Sequence, residues 1–279
     1  MNKITSVKRA SLLSLFLLFL LSPATIFAAR VDSVMVYSQS MNKEIDCRIV
    51  VPDNYTQEVD YPVVYLLHGY GGNSKAWIDK YNTRELADRY SMIIVSVDGG
   101  FSSWYWDSPV DSSMRYETFV SKELIEYVDA SYSTVAAKNG RAISGYSMGG
   151  HGALYLSIRH QDTYGAVGSM SGGVDIRPFP KNWDMAKRLG SIEENPKYWD
   201  EYTVMGQLDL LEPNSLQITF DCGVDDFFFE VNNTLHQELL ERKIPHRYTT
   251  APGAHTLPYW RGSLQYHMLF FDDFFNKNK

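Results

Sequence analysis

Among the 279 residues, one serine stands where its hydroxyl could become a nucleophile. Gly145-Tyr146-Ser147-Met148-Gly149 follows an apolar run through Ile143 and opens an amphipathic stretch, so Ser147 falls on a strand-to-helix turn. So tight a turn strains the serine backbone, and glycines two residues before and two after it remove side chains that would collide. Gly150 and Gly152 thin the first helical turn further. The Met148 N–H, at the positive end of the helix dipole, points toward the place where a tetrahedral intermediate would carry its negative oxygen. A second donor is expected from His68-Gly69-Tyr70-Gly71-Gly72, directly after the apolar run Val63 to Leu67; the Tyr70 N–H is the first choice and Gly71 the next. No Gly-Lys-Ser/Thr follows that loop, which argues against a phosphate cradle. His68 reads as a brace for the loop.

A serine hydroxyl attacks poorly until a base takes its proton, and imidazole suits that task near neutrality. Of seven histidines, His151 and His160 fall on the helix after Ser147, His236 on a later amphipathic segment, His246 within a strand-like run and His267 on the last helix. Those five read as packed or surface side chains. His255 differs, standing on the loop Ala251-Pro252-Gly253-Ala254-His255 just after the last strand-like run. The orienting acid is expected between serine and histidine in the chain, and Asp221-Cys222-Gly223-Val224-Asp225-Asp226-Phe227 holds three carboxylates after the run Leu216 to Phe220. Asp221 reads as part of the strand end; spacing alone does not separate Asp225 from Asp226.

The elements that must position these groups alternate. Cys47–Val51, Val63–Leu67, Met92–Val97, Ala142–Ser144, Ala166–Met170 and Leu216–Phe220 read as strands, several of them continuously apolar, as strands covered on both faces are. Residues 83–89, 116–128, 149–159, 231–241 and 263–275 carry apolar residues at helical spacing. The pattern predicts an α/β fold with a mostly parallel central sheet, helices on both faces, and reactive groups on loops at the carboxyl ends of the strands. Residues 175–213, with Pro178, Pro180, Trp183, Pro196 and Trp199, break the alternation and read equally as a lid or substrate wall and as a structural connection. Trp104 and Trp106, after the run ending at Val97, and Trp260, beside the histidine, are candidate substrate-binding rings.

Four segments in order, Gly145 to Leu154, Ser171-Gly172-Gly173, Gly223-x-x-Asp226 and Gly253 to Trp260, resemble motifs of the esterase D branch of the α/β-hydrolases. That branch includes feruloyl and acetyl-xylan esterases, S-formylglutathione hydrolases and the secreted mycolyltransferases of mycobacteria. The resemblance covers most of the chain after residue 29. It implies an α/β-hydrolase fold, a triad of Ser147, His255 and Asp226, with Asp226 chosen because it stands three residues after the glycine, and an oxyanion hole of the Met148 and Tyr70 N–H groups. It further implies an acyl-enzyme mechanism on carboxylic esters, with no cofactor and no metal. The Tyr-Gly-Gly loop, together with the export signal expected at the start of the chain, departs from the cytosolic thioesterase branch and favours carbohydrate-linked acetyl or feruloyl esters. Acyl transfer to a sugar shares the same acyl-enzyme, and a thioesterase of the S-formylglutathione hydrolase kind is the other alternative.

Lys3, Lys8 and Arg9, the greasy run from Leu12 to Leu21 and the small pair Ala28-Ala29 have the order of a cleavable export signal over residues 1–29, too short in its apolar part to span a bilayer. A periplasmic or secreted location and a single domain over 30–279 follow as expectations. Removing 1–29 takes the net charge from −7 to −10. So acidic a chain is a poor partner for nucleic-acid phosphates, and a small or oligosaccharide ester is expected instead. Cys47 and Cys222 read as buried thiols rather than a bridge.

Overall fold

The computed structural model describes residues 28–278, so the export segment lies outside the described residues except for Ala28 and Ala29. One eight-stranded sheet organises them, in the order β1-β2-β4-β3-β5-β6-β7-β8. Its strands are β1 (Arg30–Ser38), β2 (Lys43–Val51), β3 (Val63–Leu67), β4 (Ile93–Val97), β5 (Arg141–Tyr146), β6 (Ala166–Met170), β7 (Gln217–Gly223) and β8 (Arg247–Ala251). β1 pairs antiparallel with β2, and β2 antiparallel with β4; every later pairing is parallel.

The helices are α1 (Ala76–Lys80), α2 (Thr83–Tyr90), α3 (Tyr116–Thr118), α4 (Leu124–Ser131), α5 (Met148–Arg159), α6 (Met185–Leu189), α7 (Pro196–Glu201), α8 (Val204–Gln207), α9 (Phe229–Glu241) and α10 (Leu257–Lys277). Strand side chains alternate between two apolar layers, as the two-residue period demands. Val63, Tyr65 and Leu67 of β3 join Leu124 and Val128 of α4, Leu154 and Ile158 of α5 and Leu235 of α9 on one face. Val64 and Leu66 join Trp77 of α1, Leu86 of α2 and Leu264, Met268 and Phe271 of α10 on the other. Each such fully buried side chain contributes roughly 1.5–3 kcal/mol. Both faces of β3, β4, β5 and β6 are covered, which is why those strands read as continuous apolar runs.

The short helix α1 was not read, α10 begins at Leu257 rather than at 263, and two further elements differ from the sequence reading for identifiable reasons. β1 escaped notice because it is a half-exposed edge strand whose burial is confined to Val36 and Ser38. The helix expected over 116–128 is α3 and α4 joined by a wide π-turn at Phe119–Glu123, which lets Phe119, Val120, Leu124 and Val128 all reach the same core. Residues 175–213 form α6, α7, α8 and a 3-10 turn, seated in the main core through Met185, Leu189, Trp199, Val204 and Leu208.

Candidate active site

β5 runs out at Tyr146 and α5 begins at Met148, leaving Ser147 as the single joining residue, at φ 57° and ψ −119°. For a residue with a Cβ that is a strained conformation, retained because its surroundings over-determine it. The flanking glycines are part of that constraint: a methyl on Gly149 would run into the Leu67 carbonyl, and one on Gly145 into the backbone of Gly149.

The Ser147 Oγ lies 2.8 Å from His255 Nε2. On the far side of the ring, His255 Nδ1 lies 2.8 Å from Asp226 Oδ2 and 3.0 Å from Oδ1. A carboxylate only accepts hydrogen bonds, so Nδ1–H donates to Asp226, and the Nε2 lone pair is left facing the serine hydroxyl. The Asp226 side chain is fully shielded from solvent, and its Oδ1 also accepts the Phe228 N–H at 2.8 Å. Its neighbour Asp225 is exposed. Two backbone hydrogen bonds decide between them: the Asp226 N–H folds back to the Gly223 carbonyl while the Asp225 N–H is held by the Gly253 carbonyl of the His255 loop. Phe227 packs on the imidazole at 4.2 Å between ring centroids, and Trp260 meets it edge-on at 4.9 Å.

Met148 opens the twelve-residue helix α5, and its N–H is one of the first-turn donors with no carbonyl one turn behind it. Across the cleft, the His68–Gly72 loop approaches so closely that a methyl on Gly69 would stand 3.2 Å from the Ser147 Cβ. The Gly69 carbonyl accepts the Gly72 N–H at 3.0 Å and contacts His68 Nδ1 at 2.8 Å. His68 Nε2 accepts the Gly99 N–H at 2.8 Å, so Nδ1 carries the proton and donates. With the Gly69 carbonyl anchored on one side, the trans peptide turns the Tyr70 N–H to the other. The Gly71 N–H is engaged by the Phe101 carbonyl at 2.8 Å, which leaves Tyr70 as the better donor of the two considered.

Ser147 and His255 open on a cleft of about 460 Å³ lined by Gly69 to Asn73, Tyr146, Trp183, Phe227 and Trp260. Trp260 is therefore where the sequence placed it, stacked on Tyr146 at 4.5 Å. Trp104 and Trp106 are a correction: both are buried in the core, stacked on each other at 5.5 Å, and do not line the cleft. Positive φ at Trp104 and Tyr105 turns that segment inward, and the Trp106 indole N–H donates to His151 Nε2 at 2.8 Å. Burial holds the His151 imidazolium down to a pKa of about 4, so it is a neutral packing group. The 175–213 segment does contribute a wall through Trp183, and the ring that the sequence reading did not assign to the cleft is Phe227, stacked on Trp183 at 5.6 Å. Trp183 comes from the 175–213 segment, and the neighbouring Asp184 accepts the Tyr70 hydroxyl at 3.2 Å, tying that segment to the glycine loop.

A second chain of the same residue types lies beneath the sheet. Ser144 Oγ is 3.0 Å from His267 Nδ1, and His267 Nε2 donates to Asp221 Oδ2 at 2.7 Å. Asp221 and His267 border a separate cavity of about 650 Å³ between β8 and α10, but Ser144 is completely buried and is not part of its lining. An ester entering that cavity would not meet the Ser144 hydroxyl, whereas Ser147 and His255 share one open cleft.

Comparison with known proteins agrees with this architecture. The family model described as "Putative esterase" matches residues 38–271. The Mycobacterium tuberculosis protein Esterase Rv1288 is 36% identical over 236 residues, 74% of this chain and 51% of that protein, so the chain spans about half the length of this curated relative. An acetyl esterase of Caldicellulosiruptor saccharolyticus is 25% identical over 246 residues, 80% of this chain and 91% of the relative. Among solved structures, a ferulic acid esterase superposes with a TM-score of 0.75 at 28% identity, covering 89% of this chain and 99% of its own. An S-formylglutathione hydrolase from Staphylococcus aureus reaches a TM-score of 0.76 at 15% identity over 88% of this chain and 99% of its own, a likeness of fold alone. The match from β2 through most of α10, carried on a sheet whose serine turn, acid loop and histidine loop all lie at strand ends, establishes that the chain belongs to this esterase family of α/β-hydrolases.

Proposed function

We propose that the protein is a serine esterase using Ser147 as nucleophile, His255 as general base and acid, and Asp226 as the group that orients and supports the imidazole. The observation that carries this reading is the pair of contacts on His255, 2.8 Å to Ser147 Oγ and 2.8 Å to Asp226 Oδ2, at an open cleft. His255 Nε2 takes the hydroxyl proton as Oγ bonds to the ester carbonyl carbon. The carbonyl π pair moves onto oxygen, where the Met148 and Tyr70 N–H groups stabilise it. Collapse of that intermediate breaks the bond to the alcohol, which leaves with the proton held on His255. Water then repeats the sequence on the acyl-enzyme, returning the acid and free Ser147.

The preferred substrate in this reading is a small or carbohydrate-linked acetyl or feruloyl ester. Aromatic walls at Trp183, Phe227 and Trp260 suit both a phenolic acyl group and a sugar face. A relative described as an acetyl esterase and a structural neighbour described as a ferulic acid esterase support the same class. Export is part of the proposal, on the basic, apolar and small order of residues 1–29. The test is a panel of p-nitrophenyl acetate, butyrate and ferulate, methyl ferulate and acetylated xylan, run on wild type and Ser147→Ala. Turnover of an ester lost in Ser147→Ala is expected; an inert wild type, or a fully active Ser147→Ala, overturns the reading.

A further inference from the structure

The buried chain beneath the sheet touches each of the three elements that deliver the proposed triad. Ser144 is on β5, three residues before Ser147; Asp221 is on β7, five before Asp226; His267 is on α10, the helix that starts two residues after His255. The chain crosses β6 at Gly168, which pairs in register with Ser144 on one side and with Thr219 on the other. Only a glycine leaves room there, since a methyl at that position would meet His267 Nδ1 and would stand 2.8 Å from Ser144 Oγ.

The chemistry of the chain makes it directional. Asp221 is buried and can only accept: Oδ2 takes His267 Nε2–H at 2.7 Å and Oδ1 takes the Ser263 hydroxyl at 2.6 Å, the latter also from α10. Apolar packing of Leu264, Met268 and Phe271 against the sheet would tolerate small slides of α10 along its axis. Two charge-assisted hydrogen bonds from successive turns of the helix to one carboxylate do not, because each weakens steeply with a change of distance or angle. The upper end is stapled separately, by the Asp225 N–H on the Gly253 carbonyl and the Val224 N–H on the Ala251 carbonyl. On the α10 face of the sheet the Ser144–His267–Asp221 chain fixes the helix, and at the carboxyl ends of β7 and β8 these backbone bonds fix the loops.

We propose that Ser144, His267 and Asp221 are positioning residues that set the register of β5, β7 and α10, and through them the distances from His255 to Ser147 and Asp226. This rests on the reading of Ser147, His255 and Asp226 as the working triad. A misplacement of about 1 Å in such a constellation costs on the order of 10²-fold in rate.

The experiment compares Ser144→Ala and His267→Leu with wild type on p-nitrophenyl acetate, with folding followed by circular dichroism and thermal melting, and with Ser147→Ala as control. The expected result is a folded Ser144→Ala whose kcat falls about 10-fold, and a His267→Leu whose kcat falls about 100-fold, both with KM unchanged. Folded variants with lower melting temperatures but wild-type kcat and KM would make the chain purely structural and overturn the proposal. If His267→Leu does not fold, Ser144→Ala and Ser263→Ala, each deleting one hydrogen bond, are judged by the same criterion. A Ser147→Ala that keeps activity while Ser144→Ala loses it would instead overturn the triad reading itself.

Discussion

Replacing Asp226 by asparagine leaves the shape of the site almost unchanged and alters only which atoms can donate. The orientation of the new amide is set by the backbone. Oδ1 of Asp226 accepts the Phe228 N–H at 2.8 Å, so the asparagine oxygen stays at that position and its NH₂ takes the place of Oδ2, 2.8 Å from His255 Nδ1. The shorter of the two contacts to Nδ1, 2.8 Å, is now to a donor, while the oxygen, already engaged by Phe228, keeps only the longer one at 3.0 Å, so Nδ1 is drawn to accept and the single proton of the neutral ring shifts to Nε2. Nε2–H then points at Ser147 Oγ across the 2.8 Å contact, and the base has no lone pair with which to take the hydroxyl proton. Catalysis has to pass through the disfavoured tautomer, with two N–H groups opposed inside a site shielded from water. The comparable substitution in a serine protease costs about 10⁴ in kcat, equivalent to about 5 kcal/mol of barrier. Asp226→Asn is therefore expected to lower kcat by ~10³–10⁴ with KM little changed. The exposed Asp225→Asn is expected to stay within about threefold of wild type, as surface changes away from the reacting groups do. Steady-state hydrolysis of p-nitrophenyl acetate at pH 7 and 8 separates the two. An Asp226→Asn within tenfold of wild type, or an Asp225→Asn that is the damaging one, refutes the tautomer argument.

Three further outcomes are expected. Because burial lowers the His151 pKa from 6.5 to about 4, the unfolded chain binds more protons than the native one between those values, so stability falls as pH drops through that window, by up to about 3 kcal/mol from this group; urea melts of wild type and His151→Gln from pH 7 to 4 should show a shallower loss in the variant, and equal slopes would contradict the assignment. Gly149→Ala places a methyl against the Leu67 carbonyl and is expected to cost ~1–3 kcal/mol together with most of the activity, since the elbow and the strand feeding the Tyr70 loop must part; a variant as stable and active as wild type would show that the contact yields freely. Cys47 and Cys222 lie on β2 and β7, five strand spacings or about 24 Å apart, well beyond bridging distance, and burial raises both thiol pKa values; a thiol reagent should find neither in the native protein and both after denaturation, whereas a disulfide on a non-reducing gel would contradict the strand order.

What could be read from the sequence and what could not divides along the range of the interactions involved. The serine turn was legible because a sharp strand-to-helix turn needs glycines at fixed offsets, and those glycines, Gly145 and Gly149, stand two residues on either side of the serine. The strands β3, β4 and β6 were legible to within a residue because both faces are covered, whereas β1, alternating and half exposed at the edge, carried too weak an apolar signal. The choice between Asp225 and Asp226 was beyond spacing, since it turns on a backbone hydrogen bond from Asp225 to Gly253, on another loop. Trp104 and Trp106 misled for a related reason. Their position after a strand end matches that of a cleft residue, but the sign of φ at Trp104 and Tyr105 sends the rings inward, and spacing carries no record of that sign. His267 shows the limit most clearly. On its own helix it looks like a histidine in an apolar stripe, and its partners Asp221 and Ser144 lie 46 and 123 residues away. Only the parallel stacking of β5, β6 and β7, with Gly168 leaving a gap between them, brings those three side chains into line. Two Ser–His–Asp chains with nearly the same hydrogen-bond lengths thus differ in one physical respect that residue type cannot encode: access of a carbonyl carbon to the serine oxygen. Reactivity should follow that access, so an organophosphorus reagent is expected to modify Ser147 and spare Ser144 in the native protein. Peptide mapping that found the label on Ser144 would reverse the assignment of the two chains.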